Sequence, residues 1–322
     1  MIISASRRTD IPAYYSEWFE NRVKEGFILV RNPMNIHQIS KISLSTDVVD
    51  AIVFWTKNPV PMMERLDSFK NYPYYFQFTL TGYGKDIEPN LPNKREKLIS
   101  TFKALSKKIG KEKVIWRYDP ILISKRYDPI FINDTYTVEY HKKYFKTLAA
   151  KLGKYTEKCT VSFLDLYRNT ERNINPLGIR VPYKEEILEM MVSFIETSKE
   201  YGFYIDTCAE EIDLSNLEIQ HAHCIDQERL ERIGGFKLDV KKDSNQRGVC
   251  GCVASIDIGT YNTCKNGCVY CYANYSKTTV DNQTRNHNPK SPLLFGEVGD
   301  DDAIKERKME SLIKQQLTIF DI

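Results

Sequence analysis

The sequence predicts an α/β fold, a β/α barrel of eight parallel strands, and three observations carry that prediction. Short apolar runs alternate with amphipathic helical patterns over the first two thirds of the chain. Charged and polar residues collect where those runs end. The eighth run leads directly into a loop that holds three cysteines within eight residues.

The runs are IISAS (2–6), FILVRNP (27–33), AIVFWTKNP (51–59), YYFQFTLTG (74–82), VIWRYDPI (114–121), CTVSFLDLY (159–167), FYIDTCAE (203–210) and VASIDIG (253–259). Between them lie YYSEWFENRVKEG, REKLISTFKALSKKIG, VEYHKKYFKTLAAKLG and YKEEILEMMVSFIETSKEYG, whose apolar i, i+3, i+4 spacing and closing Gly predict helices. Near-continuous apolar strands between helices describe a parallel sheet covered on its faces. In such a barrel the C-terminal strand ends build the active site. The residues gathered there are Arg7, Arg8 and Asp10; Arg31 and Asn32; Thr56, Lys57 and Asn58; Arg117, Tyr118 and Asp119; Asp165 and Tyr167; and Glu210. One of these alone reads as a capped turn or a surface ion pair, whereas five or six charged exits together read as a lined pocket.

The expected organisation is one barrel domain over 1–295, with a cysteine-rich insertion at about 208–252 and a cysteine loop at 259–275. A tail with helix-like character follows over 296–322. A net charge of +3 in 322 residues gives no bulk electrostatic reason to bind nucleic acid, and 42% hydrophobic residues suffice for a sizeable core. No apolar run approaches the ~18 residues of a membrane span. MIISASRRTD lacks signal-peptide anatomy, so a cytoplasmic protein with no membrane partner is expected.

A reducing compartment makes clustered thiols a sign of metal or redox chemistry rather than disulfides. Seven of the eight cysteines lie after residue 207. Cys264, Cys268 and Cys271 read C-x3-C-x2-C. Thiolates suit zinc or iron–sulfur clusters, but structural zinc closes with four ligands and this triplet has no fourth Cys or His nearby. A [4Fe–4S] cluster on three thiolates leaves one iron open for a substrate or cofactor.

Cys264-Lys-Asn-Gly-Cys268-Val-Tyr270-Cys271 resembles the radical S-adenosylmethionine (SAM) signature, C-x3-C-x-aromatic-C. The resemblance implies a [4Fe–4S] cluster on Cys264, Cys268 and Cys271, with SAM chelated to the unique iron and Tyr270 beside its adenine. It also implies an external electron donor, reductive SAM cleavage to a 5′-deoxyadenosyl radical, and hydrogen abstraction from a substrate. Members of that superfamily normally carry the triplet after the first barrel strand. Here it follows the last, so the resemblance implies a circularly permuted TIM-type β/α barrel, partial or full, in which the cluster strand neighbours strand one. The usual Gly-Gly-Glu at the next strand exit is replaced by SASRRTD, which makes Arg7, Arg8 and Asp10 candidates for holding SAM. From SASRRTDIPAYY through VFWTKNP, WRYDPI and TCAE to DIGTYNTCKNGCVYCYAN, the chain also resembles the bacterial family of domain of unknown function 1848, which supplies no substrate.

Cys208, Cys224, Cys250 and Cys252 come from three loops. They are enough for an auxiliary [4Fe–4S] cluster, for zinc with four thiolates, or for a mixed site with His221 or His223. Buried unpaired thiols are the bland alternative, and Cys159 is read as core. Trp55, Lys57, Trp116 and Arg117 are candidates for contacts to an anionic substrate or the SAM carboxylate, or else for core roles and ion pairs with Asp119; Lys57, Arg117 and Asp119 are also catalytic candidates. Gln316-Leu317-Thr318-Ile319-Phe320 resembles the peptide by which bacterial proteins bind the DNA sliding clamp. That resemblance implies a nucleic-acid lesion as a candidate substrate. The competing class is a zinc protein, structural or hydrolytic, with no redox chemistry at its cysteines.

Overall fold

The computed structural model describes residues 1–124 and 135–314. Its centre is an all-parallel sheet of eight strands: β1 (Ile2–Ala5), β2 (Ala51–Thr56), β3 (Tyr74–Thr79), β4 (Val114–Ile121), β5 (Lys158–Phe163), β6 (Tyr204–Thr207), β7 (Gln220–His221) and β8 (Ile256–Asp257). The spatial order is β8-β1-β2-β3-β4-β5-β6-β7, so every strand except β8 sits beside its neighbour in sequence. The strand that feeds the cysteine triplet therefore lies against β1, with Ile3 opposite Ile256 and Ser4 opposite Asp257. The expected closed barrel is not found. No strand pairing joins β7 to β8 among the described residues, and each of these edge strands is only two residues long. The backbone link across that seam is Val253 N–H donating to Ile225 C=O at 3.1 Å.

Strand alternation splits the sheet into two unlike faces. Outward residues Ile3, Phe54, Phe76, Phe78, Trp116, Tyr118 and Val161 pack under helices α1 (Ser16–Glu25), α2 (Ile99–Ile109), α3 (Val138–Leu152) and α4 (Lys184–Tyr201). Aromatic rings dominate this layer. Phe54 stacks on Phe76 at 4.7 Å, Trp116 on Phe145 at 4.9 Å and Phe145 on Phe194 at 3.8 Å. Inward residues Ile2, Ala51, Val53, Tyr75 and Ile115 form a second apolar cluster with Ala222, Cys224, Ile225, Leu230, Cys250, Cys252 and Val253. The cysteine-rich insertion thus fills the inner face of the sheet. Tyr75 and Gln77 side chains both donate to the Cys224 carbonyl, at 2.6 and 2.7 Å.

Two expectations change. FILVRNP is not a strand of the main sheet; Phe27–Asn32 pairs antiparallel with Asn35–Ser43 in a separate hairpin. A short apolar run reports burial but not which sheet receives it, and the Asn-Pro-Met-Asn turn at 32–35 returns the chain locally. Arg31 is accordingly no pocket residue and forms a two-pronged ion pair with Asp302 at 2.7 and 2.8 Å. The eighth place in the sheet goes instead to Gln220–His221. The tail read as helix-like contains a strand, Ala303–Glu306, on the far edge of that hairpin sheet. It continues to Leu312, whose N–H donates to Asp50 at 2.8 Å. The clamp-like peptide at 316–320 lies outside the described residues. Among the described residues, no helix is long and apolar enough to cross a membrane.

Candidate metal centre

The exits of β1, β2, β3 and β8 build the first half of the site. Asp257 on β8 accepts hydrogen bonds from Ser4 Oγ (3.1 Å), Ser6 Oγ (2.6 Å), Arg7 N–H (2.8 Å) and Gly259 N–H (3.0 Å). This one carboxylate locks the start of the cysteine loop to the end of β1. Packing there is tight, because a Cβ on Gly259 would lie 2.0 Å from Ser6 Oγ. Asp10 extends the lock. It caps the turn Ile11–Tyr14 through Ala13 N–H (3.0 Å) and accepts from Lys57 N–H (2.8 Å) and Asn266 Nδ2 (3.1 Å). One carboxylate thus joins the β1 exit, the β2 exit and the cysteine loop, while burial holds it above the usual carboxylate range.

The loop itself is fastened from outside. Tyr14 donates to Asn266 Oδ1 at 2.7 Å, Tyr15 to the Thr263 carbonyl, Asn90 Nδ2 to the Lys265 carbonyl at 2.7 Å, and Asn274 Nδ2 to the Cys264 carbonyl at 2.7 Å. Gly267 is required where it stands. Its φ is +70°, and a Cβ there would meet Asn90 Nδ2 at 2.9 Å. So fastened, the loop holds Cys264, Cys268 and Cys271 as free thiols facing inward. Burial raises the proton affinity of all three, Cys268 to about 12. They sense one another through space: Cys264 feels Cys271 and Cys268, and Cys268 feels Cys271.

Beside them lies an ion pair of which the sequence reading named Lys57 but missed the buried Glu88. Lys57 Nζ meets Glu88 Oε1 at 2.8 Å, Thr81 Oγ1 donates to Glu88 Oε2 at 3.0 Å, and Tyr270 OH also donates to Glu88. Lys57 sits 5.4 Å from the Tyr270 ring centre. Burial pulls its ammonium down, but Glu88 and Cys268 outweigh that and keep it above its ordinary value. Tyr270, next to the last cysteine, is thereby fixed in place.

The exits of β4 to β7 build the second half. Arg117 donates to Asp119 through Nε at 2.9 Å and through Nη2, and Ser162 donates to the same carboxylate. Arg117 Nη1 lies 2.9 Å from Cys224 Sγ, which in turn lies 3.2 Å from Cys208 Sγ. Cys252 Sγ accepts from Ile225 N–H at 3.3 Å, next to Cys224 in the chain. The four insertion thiols thus share one buried cluster, with Cys208 and Cys224 in contact. The neighbouring Cys208 and Cys252 thiols, then the charges of Arg117 and Lys158, hold Cys224 well below the ordinary thiol value. Cys250, beside Cys252, is lowered to about 6. Among the described residues no three ligand-type side chains stand as a closed coordination shell.

Trp55 bridges the halves. Its ring lies 5.1 Å from the Arg7 guanidinium and 5.2 Å from that of Arg117, and its Nε1 donates to Ser4 Oγ at 3.1 Å. Arg7 Nη2 is buried without a hydrogen-bond partner, and the guanidinium faces Cys252 and Cys224. Arg8 points elsewhere, 4.0 Å from Asp257 and over the Tyr261 ring at 5.1 Å. Trp116 does not join the site. It faces the helices, fully buried, with Nε1 on the Leu80 carbonyl at 2.8 Å. Neighbours in sequence, Trp116 and Arg117 stand on opposite faces of β4. Asp165 pairs with Arg247 at 2.6 Å, and Glu210 accepts from Phe163 N–H at 2.8 Å, with burial raising that carboxyl to about 7.

The fold and site define an α/β protein with a parallel sheet whose C-terminal edge carries two cysteine groups around a cationic and aromatic pocket. The chain belongs to the family described as domain of unknown function DUF1848, whose model matches residues 2–126 and 122–273. No curated protein matches the chain. Among solved structures it is similar to one provisionally named an alpha-L-fucosidase, from Bacteroides thetaiotaomicron VPI-5482. The identity is 11% over 74% of this chain and 83% of that chain, with a TM-score of 0.24, too slight a likeness to carry an argument.

Proposed function

We propose that the protein is a radical SAM enzyme, with Cys264, Cys268 and Cys271 as the ligands of a [4Fe–4S] cluster and SAM on its open iron. One observation carries the reading: three free thiols, one buried and two half-buried, on a single fastened loop at the C-terminal edge of a parallel sheet. The donor set fits the group, since thiolates are the ligands of iron–sulfur clusters. In this reading the open eight-stranded sheet is a permuted β/α barrel, and β8 plays the part of the usual first strand.

Such a cluster, once reduced by an external donor, supplies the electron that cleaves bound SAM and starts hydrogen abstraction. The chain's own residues bind and orient. Tyr270, held by Glu88 and flanked by Lys57, offers a fixed aromatic face for the adenine. Arg7 brings an unpartnered buried donor, suited to a carboxylate. Asp10 acts as a positioning residue, because its oxygens are committed to Ala13, Lys57 and Asn266. Trp55, Arg117 and Asp119 line the space left for a substrate.

Anaerobically reconstituted protein, given dithionite and SAM, is expected to release 5′-deoxyadenosine, and Cys271→Ala is expected to release none above background. Undiminished release from that variant contradicts the assignment.

A further inference from the structure

Independently of the triplet, we infer that Cys208, Cys224, Cys250 and Cys252 bind one zinc ion as a mononuclear four-thiolate site, which staples the open seam of the sheet. The sulfur spacing points this way. Zn–S bonds of about 2.3 Å in a tetrahedron put neighbouring sulfurs roughly 3.8 Å apart, close to mutual contact. Cys208 and Cys224 lie 3.2 Å apart, and Cys250 and Cys252 pack into the same buried cluster, Cys252 Sγ 3.3 Å from the Ile225 amide that follows Cys224. A [4Fe–4S] cube instead holds its ligands at four separate corners, well beyond contact.

Charge supports the same reading. Zinc with four thiolates carries a net charge of about minus two. Two buried guanidiniums face these sulfurs, Arg117 at 2.9 Å from Cys224 and Arg7 toward Cys252 and Cys224. An entry path exists as well: a cleft of about 420 Å³ is lined by His223, Gln227, Val249, Cys250 and Gly251. Among the described residues the thiols do not stand as a ready coordination shell, and rotation about Cα–Cβ moves a sulfur without moving the backbone.

The position explains what a metal would do. Cys208 follows β6, Cys224 follows β7, and Cys250 and Cys252 lead into β8. Among the described residues the seam between β7 and β8 lacks strand pairing, so coordination bonds would reinforce an edge otherwise joined through the single Val253–Ile225 backbone bond. Structural zinc contributes folding energy in this way.

The test uses full-length protein with Cys264, Cys268 and Cys271 all changed to Ala, so that the triplet cannot contribute. Purified from medium containing both metals, it is expected to hold about one zinc per chain and no iron. Replacement by Co²⁺ is expected to give thiolate charge-transfer bands, and adding Cys250→Ser, at the cleft side, is expected to release the metal. Iron with sulfide in this variant overturns the proposal in favour of a second cluster. Metal-free protein whose four thiols all react with a thiol reagent overturns it in favour of plain packing.

Discussion

The two cysteine groups lie at the C-terminal edge of one sheet, the triplet after β8 and the quartet around the exits of β6 and β7, and they are built differently. The triplet comes from one loop of consecutive sequence, pinned at its backbone by Asp257, Tyr15 and Asn90 and at the Asn266 side chain by Tyr14. The quartet comes from three loops, has Cys208 and Cys224 in contact, and lies near Arg117 on β4 and Arg7 just beyond β1. A loop held by its backbone can leave its sulfurs free to share a ligand with something else. Loops held by their sulfurs cannot. In the proposed reading the triplet serves chemistry and the quartet architecture.

The largest break in that comparison is expected at Glu88. Glu88→Gln leaves the Lys57 ammonium buried and unpaired and frees Tyr270. Losing one partner of a buried pair costs about 3–5 kcal/mol. Urea unfolding should show that loss, and the double variant Glu88→Gln/Lys57→Met should recover a good part of it. Iron retention should fall with Glu88→Gln while zinc content holds, because its partners Lys57 and Tyr270 lie beside the triplet. A loss below about 1 kcal/mol would remove Glu88 from the account.

An acid-sensitive group lies behind the sheet, clear of both cysteine groups. His141 on α3 is buried, with Nε2 at 2.8 Å from the Leu122 carbonyl and Nδ1 at 3.0 Å from Tyr118 OH. Burial lowers its pKa from 6.5 to about 4. Between those values the unfolded chain binds the proton and the folded chain does not. Stability is therefore intact above pH 6.5 and falls as pH drops through the window, by about 3 kcal/mol in full. Unfolding measured at intervals across that range should show a slope that His141→Gln flattens; an unchanged slope would clear His141 of the effect.

The smallest expected effect sharpens the triplet. Gly267→Ala forces a side chain into a left-handed backbone and against Asn90, costing about 1–2 kcal/mol. Its signature should be faster iron loss on dilution at unchanged zinc, and equal iron retention would show that the loop is not fastened there.

Much of the site was legible because function and sequence run together at strand exits. RRTD and RYD each place cations and a carboxylate within four residues, TKN adds a lysine, and all three stretches contribute to the site. The triplet was legible for the same reason. Glu88 was not, since it lies in an irregular stretch between β3 and α2 with no periodicity to mark it. Asp257 was hidden inside an apolar run whose alternation turns it inward. Sheet membership failed where strands are short: two polar residues, Gln220 and His221, carry no strand signal, while FILVRNP carries one and pairs elsewhere.

The most direct test of the central claim is the electron paramagnetic resonance spectrum of the reconstituted, dithionite-reduced protein with and without SAM. A reduced-cluster signal that shifts when SAM is added, and is absent when Cys264, Cys268 and Cys271 are all Ala, is the predicted result. No iron–sulfur signal, or one that persists in that variant, would contradict it.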